Sequence, residues 1–273
     1  MMKRLLRICL AGAVLTAASS SLFAVVMSVD ARSDIFESGL GTSGVSVGMN
    51  MGLFPSGISF AAGSGQTISF NSITGFTLCG APNCGAFTSS TGINADGSGA
   101  TGLGSGGTAI TSTSGISGIT FSRQMFLVGV FLSNAAPTFG TQPADLTFFT
   151  SGGGLDTDNR INWFDPSTTF GLGQTFYIGD GKTGLCTTSA ACAGTTQVWN
   201  VPTAATRLFL GFVDGGSGGP FSGSFGAYDD NVGTLSVDIN TAGLIVAGVP
   251  EPSTIMLMGL GMIGLALLRK KIA

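Results

Sequence analysis

Glycine restricts this chain more than any other residue. Forty-five of its 273 positions are Gly, and each weakens a helix interior by about 1 kcal/mol relative to Ala. Ser and Thr fill the same stretches, and their side chains compete with helical backbone hydrogen bonds. No helical period appears before residue 253; the apolar residues fall in short runs broken by Gly, Pro and Asp. Ile68 and Phe70 alternate with Thr67 and Ser69, and Leu235, Val237 and Ile239 alternate with Ser236 and Asp238. Such alternation gives a strand one buried and one wet face. Runs 125–132 and 208–213 are apolar on both faces, as strands covered from both sides should be. Further strands are predicted at 146–149, 161–164, 176–178 and 197–201. The fold class is therefore all-β, an antiparallel sandwich with two sheets hiding their apolar faces against each other. Residues 89–118, nearly all small or hydroxylated, read as a low-complexity loop or frayed edge.

The two ends carry trafficking instructions. Lys3, Arg4 and Arg7 precede an uncharged run over 8–29, the pattern of a secretory signal assigned to residues 1–31. Val29 and Ala31 satisfy the small-residue rule for cleavage, and Ala24 is a second cut position; a retained membrane anchor is the alternative. At the other end, Val249-Pro250-Glu251-Pro252-Ser253 leads through uncharged residues 253–268 to Arg269, Lys270 and Lys271. As a single transmembrane helix, 253–268 would span about 24 Å against a hydrocarbon core of about 30 Å. The basic cluster should stay cytoplasmic, which puts everything before Pro250 outside. Over 249–273 this motif, span and cluster resemble the PEP-CTERM sorting signal of Gram-negative bacteria. The resemblance implies an exosortase partner, transient residence in the inner membrane, cleavage near Pro-Glu-Pro, and delivery to the cell surface or extracellular matrix.

Residues 32–248, the expected sandwich domain, hold five basic and twelve acidic residues, a net charge of −7. No basic patch for nucleic acid remains. With no His in the chain, Ser/His/Asp and Cys/His catalysis, His-ligated zinc and an imidazole base are all excluded. Gly215-Gly216-Ser217-Gly218-Gly219 spells a nucleophile elbow with nothing to activate its Ser. The G-x-G-x-x-G matches between Gly97 and Gly107 neither follow a strong strand nor open a helix. Asp156 and Asp158, two apart on a turn, do not define the opposed carboxylates of a glycosidase. The chain is read as non-enzymatic. Without Cys9 of the signal, Cys79, Cys84, Cys186 and Cys192 form an even set for an oxidising compartment. The simplest connectivity is local, Cys79 to Cys84 and Cys186 to Cys192; a four-thiolate metal site is the rival.

Calcium takes six to eight oxygens from carboxylates, amides and carbonyls. Residues 227–233, Ala-Tyr-Asp-Asp-Asn-Val-Gly, offer all three, and Asp214 lies just past the apolar run 208–213. If the strands ending at Val213 and beginning near Thr234 were hairpin neighbours, their ends would lie about 5 Å apart. Asp214, Asp230 and Asn231 could then share one ion, with Asp229 facing solvent; a plain polar turn is the alternative. The segments at 197–215 and 226–239 resemble the last two strands of the calcium-dependent galactophilic bacterial lectins, and 56–75 resembles their opening strands. That resemblance implies a jelly-roll-like sandwich, with Asp214, Asp230 and Asn231 as side-chain ligands, Ala227 as a carbonyl ligand, and an extracellular polysaccharide partner. The family's sugar-contacting His has no counterpart, and 215–225 reads as an insertion.

Overall fold

The alternating and doubly apolar runs become strands of two facing sheets. The computed structural model describes residues 24–41, 52–79, 92–99, 108–110, 112, 114–121, 123–138, 140–147, 170–182, 194–214 and 228–245. Its strands in chain order are β1 (Ala24–Asp30), β2 (Ser56–Ser59), β3 (Thr67–Cys79), β4 (Ser98–Gly99), β5 (Thr108–Ile110), β6 (Ile119–Phe121), β7 (Arg123–Gln124), β8 (Leu127–Leu132), β9 (Leu146–Thr147), β10 (Thr175–Tyr177), β11 (Val198–Asn200), β12 (Arg207–Phe212) and β13 (Asn231–Asn240). One antiparallel sheet has the order β1-β13-β3-β11 and the other β10-β8-β12-β2. Counted along the chain, these eight strands interleave as 1-8-3-6 and 2-7-4-5, the connectivity of a jelly roll. Pairs β4-β7 and β5-β6-β9 form small additional sheets, and β6 and β9 run parallel.

Register explains the core. Leu208, Leu210 and Phe212 of β12 stand opposite Phe131, Gly129 and Leu127 of β8, and Phe176 of β10 stands opposite Gly129, so all share one face. Phe176 stacks on Phe131 at 5.0 Å and on Phe170 at 4.8 Å, filling the space over Gly129. It reaches across to Trp199 of the other sheet at 6.3 Å. Trp199 in turn meets Phe70 edge-on at 5.2 Å. Each such ring stabilises the fold by about 1.5–3 kcal/mol through burial. The reverse face of β8 and β12 is covered too: Ser33 and Ile35 lie over Gly211, and Gly39 lies against Leu132. That second cover is why β8 is buried along its whole length.

Three expectations are corrected by this arrangement. Residues 24–30 are a sheet strand: Ala24 through Asp30 pair with Asn240 through Thr234, and Val29 is fully buried. The apolar run of a signal and that of a strand are indistinguishable in sequence, so the domain boundary at Arg32 fell too late. A cut after Ala31 would strip β1 from the sheet. Within 89–118, the described residues are not a frayed loop; Ile93, Asp96, Ile110 and Ile116 are buried, and Leu127 N–H bonds to the Ala95 carbonyl. Lastly, β12 and β13 lie in different sheets and are not hairpin neighbours. The predicted strand at 161–164 lies outside the described residues. Among the described residues no helix is long and apolar enough to cross a membrane, and the predicted span 253–268 lies outside them.

The long β3–β13 pair holds two glycines of positive φ close to one another on opposing strands. Gly75 and Gly233 have φ of +107° and +108°, and a Cβ on either would run into the opposing strand's carbonyl. Only Gly accepts both constraints. Because β1 is integral to the sheet, N-terminal sequencing of the exported protein is expected to give a start at or before Val25; a start at Arg32 would contradict that assignment.

Candidate functional site

At one rim of the sandwich, the end of β12 and the start of β13 come together although their strands belong to opposite sheets. Asp214 lies two residues past β12, and Asn231 opens β13 behind a 3₁₀ turn, Tyr228–Asp230. The connection is made through the end of β1. Ala31 N–H bonds to the Gly233 carbonyl at 3.0 Å. The Asn231 amide donates to the Ala31 carbonyl at 3.3 Å and to the Asp214 carboxylate at 2.8 Å. Asn231 is 1% exposed and Asp214 8%. The amide oxygen of Asn231, Oδ1, is buried and accepts no hydrogen bond. An acceptor buried in that state costs about 1–3 kcal/mol, and a cation seated beside it would offset that cost.

Tyr228 forms the floor of this rim. It is fully buried; its hydroxyl donates to the Phe212 carbonyl at 3.1 Å and accepts from the Asp214 N–H at 3.2 Å. Asp34 approaches the same hydroxyl from the segment after β1, where it caps the 3₁₀ turn Ile35–Glu37 by accepting from Phe36 N–H at 2.9 Å. Burial pushes the Asp34 carboxyl up to about 7, against the lowering pull of the Phe36 N–H and the Tyr228 hydroxyl. The Tyr228 phenol is raised well above its ordinary value, first by burial and then by the charges of Asp34 and Asp214.

Two of the four expected calcium ligands, Asp214 and Asn231, therefore touch. The backbone of Asp230 closes the adjoining turn, Asp229 is exposed as expected, and Ala227 lies outside the described residues. Asp34 was missed from sequence, because a lone Asp carries no spacing signal, and Tyr228, though within the 227–233 segment, was given no role there. Gly233 sits within β13 at a positive φ, not in the loop expected before it. A second buried carboxylate lies on the same side of the molecule. Asp96 accepts from the Tyr177 hydroxyl and from Asp180 N–H, both at 2.8 Å, while burial and the Asp96 charge push Asp180 up to about 6. Among the described residues no three His, Cys, Asp or Glu side chains gather as a metal cluster. An ion at the rim would thus draw on Asn231 and carbonyl oxygens as well as carboxylates.

Other expected site residues lie elsewhere. Cys79 ends β3, whereas Cys84, Cys186, Cys192, the Asp156–Asp158 turn and the sorting residues Pro250, Glu251, Pro252, Arg269, Lys270 and Lys271 lie outside the described residues. Residues 248–271 match the PEP-CTERM protein-sorting motif. The chain thus carries the exosortase recognition signal of an exported, membrane-anchored precursor. No curated protein and no solved structure matches, so the likeness to the galactophilic lectins finds no support among known proteins.

The buried carboxyl gives a pH test. With an ordinary value of 3.8 and a folded value of about 7, Asp34 binds its proton more tightly in the folded state. Its stabilising contribution is complete below about pH 4 and declines as the pH rises to about 7. Thermal melts from pH 4 to 8 are expected to fall less steeply for Asp34→Asn than for the wild type; identical slopes would mean that Asp34 is not the buried titrating group.

Proposed function

We propose that this chain is an exported, non-enzymatic protein of the cell surface or extracellular polysaccharide matrix, sorted by an exosortase and binding calcium at the Asp214–Asn231 rim. The single observation behind the sorting route is the PEP-CTERM match at 248–271. Export also suits the predicted signal over the first residues and the even cysteine set. After the Pro-Glu-Pro cut, the sandwich would leave the membrane without its tail. Intact-mass measurement from an exosortase-bearing host is expected to give a species lacking Arg269 to Ala273; exclusive recovery of the uncut chain would contradict sorting.

The calcium reading rests on the buried Asn231 Oδ1 without a hydrogen-bond partner beside the Asp214 carboxylate. Calcium prefers hard oxygen donors of this kind. Asp230 and the Ala227 carbonyl would complete the protein ligands, and open coordination positions would accept polysaccharide hydroxyls. A structural matrix protein without a specific ligand is the second reading, favoured by the Ser, Thr and Gly content of the chain.

Calcium separates the two. Bound at a hundredfold excess over its dissociation constant, one ion stabilises a fold by about 2.7 kcal/mol, or about 5–10 °C for a domain of this size. Added to chelator-stripped full-length protein in detergent, calcium is expected to raise the melting temperature on that scale. Asp214→Asn and Asp230→Ala should remove the rise, and Asp229→Ala should keep it. Equal responses in all four proteins would place the ion elsewhere, and no response in the wild type would favour the structural reading.

A further inference from the structure

The topology sorts the two ends of the sandwich by chemistry, and this bears on how the precursor stands at the membrane. Strand β13 ends at Asn240, directly opposite Ala24, the first residue of β1. The segment after β13 stays at that pole. Thr67 N–H bonds to the Gly243 carbonyl, Ala61 N–H to the Ile245 carbonyl, and Gly63 N–H to the Thr203 carbonyl. The Gln66 side chain accepts from Ile245 N–H at 2.6 Å. Loops 61–66, 201–206 and 241–245 therefore form one surface, and none of them carries a charged residue. Exposed there are Ala62, Ser64, Ala204, Ala242 and Ile245, the last at 52%.

The opposite pole is acidic. Asp30, Asp34, Asp96, Asp180, Asp214 and Asp229 lie at the end where β1 and β12 finish and β13 begins, together with Arg32, which is ion-paired to Asp30. From Asn231 to Asn240 the sandwich measures about 30 Å along β13.

The tail is short. Seven residues, 246–252, separate Ile245 from Ser253, the first residue of the apolar span. Fully extended, that tether reaches at most about 29 Å. It cannot run back along the whole sandwich and still deliver Ser253 to the bilayer, so the acidic rim cannot be the membrane-facing end.

We infer that in the precursor the uncharged pole formed by loops 61–66, 201–206 and 241–245 seats on the lipid surface, holding the Asp214–Asn231 rim outward. The inference rests on the sorting-tail reading above. Its occupant is lipid: the three loops are uncharged, half-exposed Ile245 leads straight into the tether, and the tether ends in the bilayer.

A fluorescent amino acid placed at Ser64, at Ala204 or at Asp229 of the full chain tests it, in protein-free vesicles of mixed zwitterionic and anionic lipid carrying a headgroup quencher. Vesicle flotation that is lost when residues 253–273 are removed first establishes that the tail has inserted. Probes at Ser64 and Ala204 are expected to be quenched several-fold more than the probe at Asp229. Equal quenching would mean a sandwich lying on its side, and quenching at none of the three would mean a pole that stands off the lipid and meets only the exosortase; either overturns the inference. Failure of the chain to float would overturn the sorting-tail reading beneath it, and so the two failures are distinguishable.

Discussion

The pairing of the first strand with the last is the constraint on which the rest of the molecule depends. β13 lies between β1 and β3, bonded along most of its length to both. Without β1, Val29 would be missing from the inner face and β13 would become a long edge strand, a template for unwanted pairing. The same pairing closes the jelly roll and places Ala24 beside Asn240. The chain consequently enters β1 and leaves β13 at one pole, while its reversals into β13 and out of β1 and β12 are gathered at the other.

That far pole is where polar side chains are drawn inward. Phe212 and Asp214 belong to one sheet's strand end, Asn231 to the other's, and Ala31 and Asp34 to the crossing segment between them. Tyr228 and Asn231 hold these pieces together through hydrogen bonds that span the two sheets. Burial makes each of those bonds stronger and makes any unmet acceptor more costly. The Asn231 amide makes two bonds through its NH₂ group and none through Oδ1, an asymmetry suited to a positively charged neighbour. Asp34 meets the same difficulty differently: its carboxyl holds a proton up to about pH 7.

Much of the sandwich was legible from residue pattern. The alternation around Ile68–Phe70 and Leu235–Ile239 lies on β3 and β13, and the doubly apolar runs at 125–132 and 208–213 contain β8 and most of β12, because burial of one or both faces writes itself directly into sequence. β1 was hidden inside the apolar run assigned to the signal, since both need uninterrupted apolar residues. The buried Ile93, Ile110 and Ile116 were hidden by their Gly- and Ser-rich surroundings. The meeting of Asp214 with Asn231 was anticipated for the wrong reason. Adjacent strands in sequence suggested a hairpin, whereas the interleaved connectivity sends β12 and β13 to opposite sheets and lets only their ends converge. No local pattern encodes that crossing, and none could have signalled Asp34 or Tyr228, which reach the rim only through it.

Diffraction from crystals grown with calcium addresses the rim most directly. The interaction proposed here predicts an anomalous peak about 2.3–2.6 Å from both an Asp214 carboxylate oxygen and Asn231 Oδ1, lost in Asp214→Asn crystals. A wild-type rim with Asn231 Oδ1 bound to an ordinary water and no anomalous signal, at calcium concentrations that saturate any stabilisation, would contradict it.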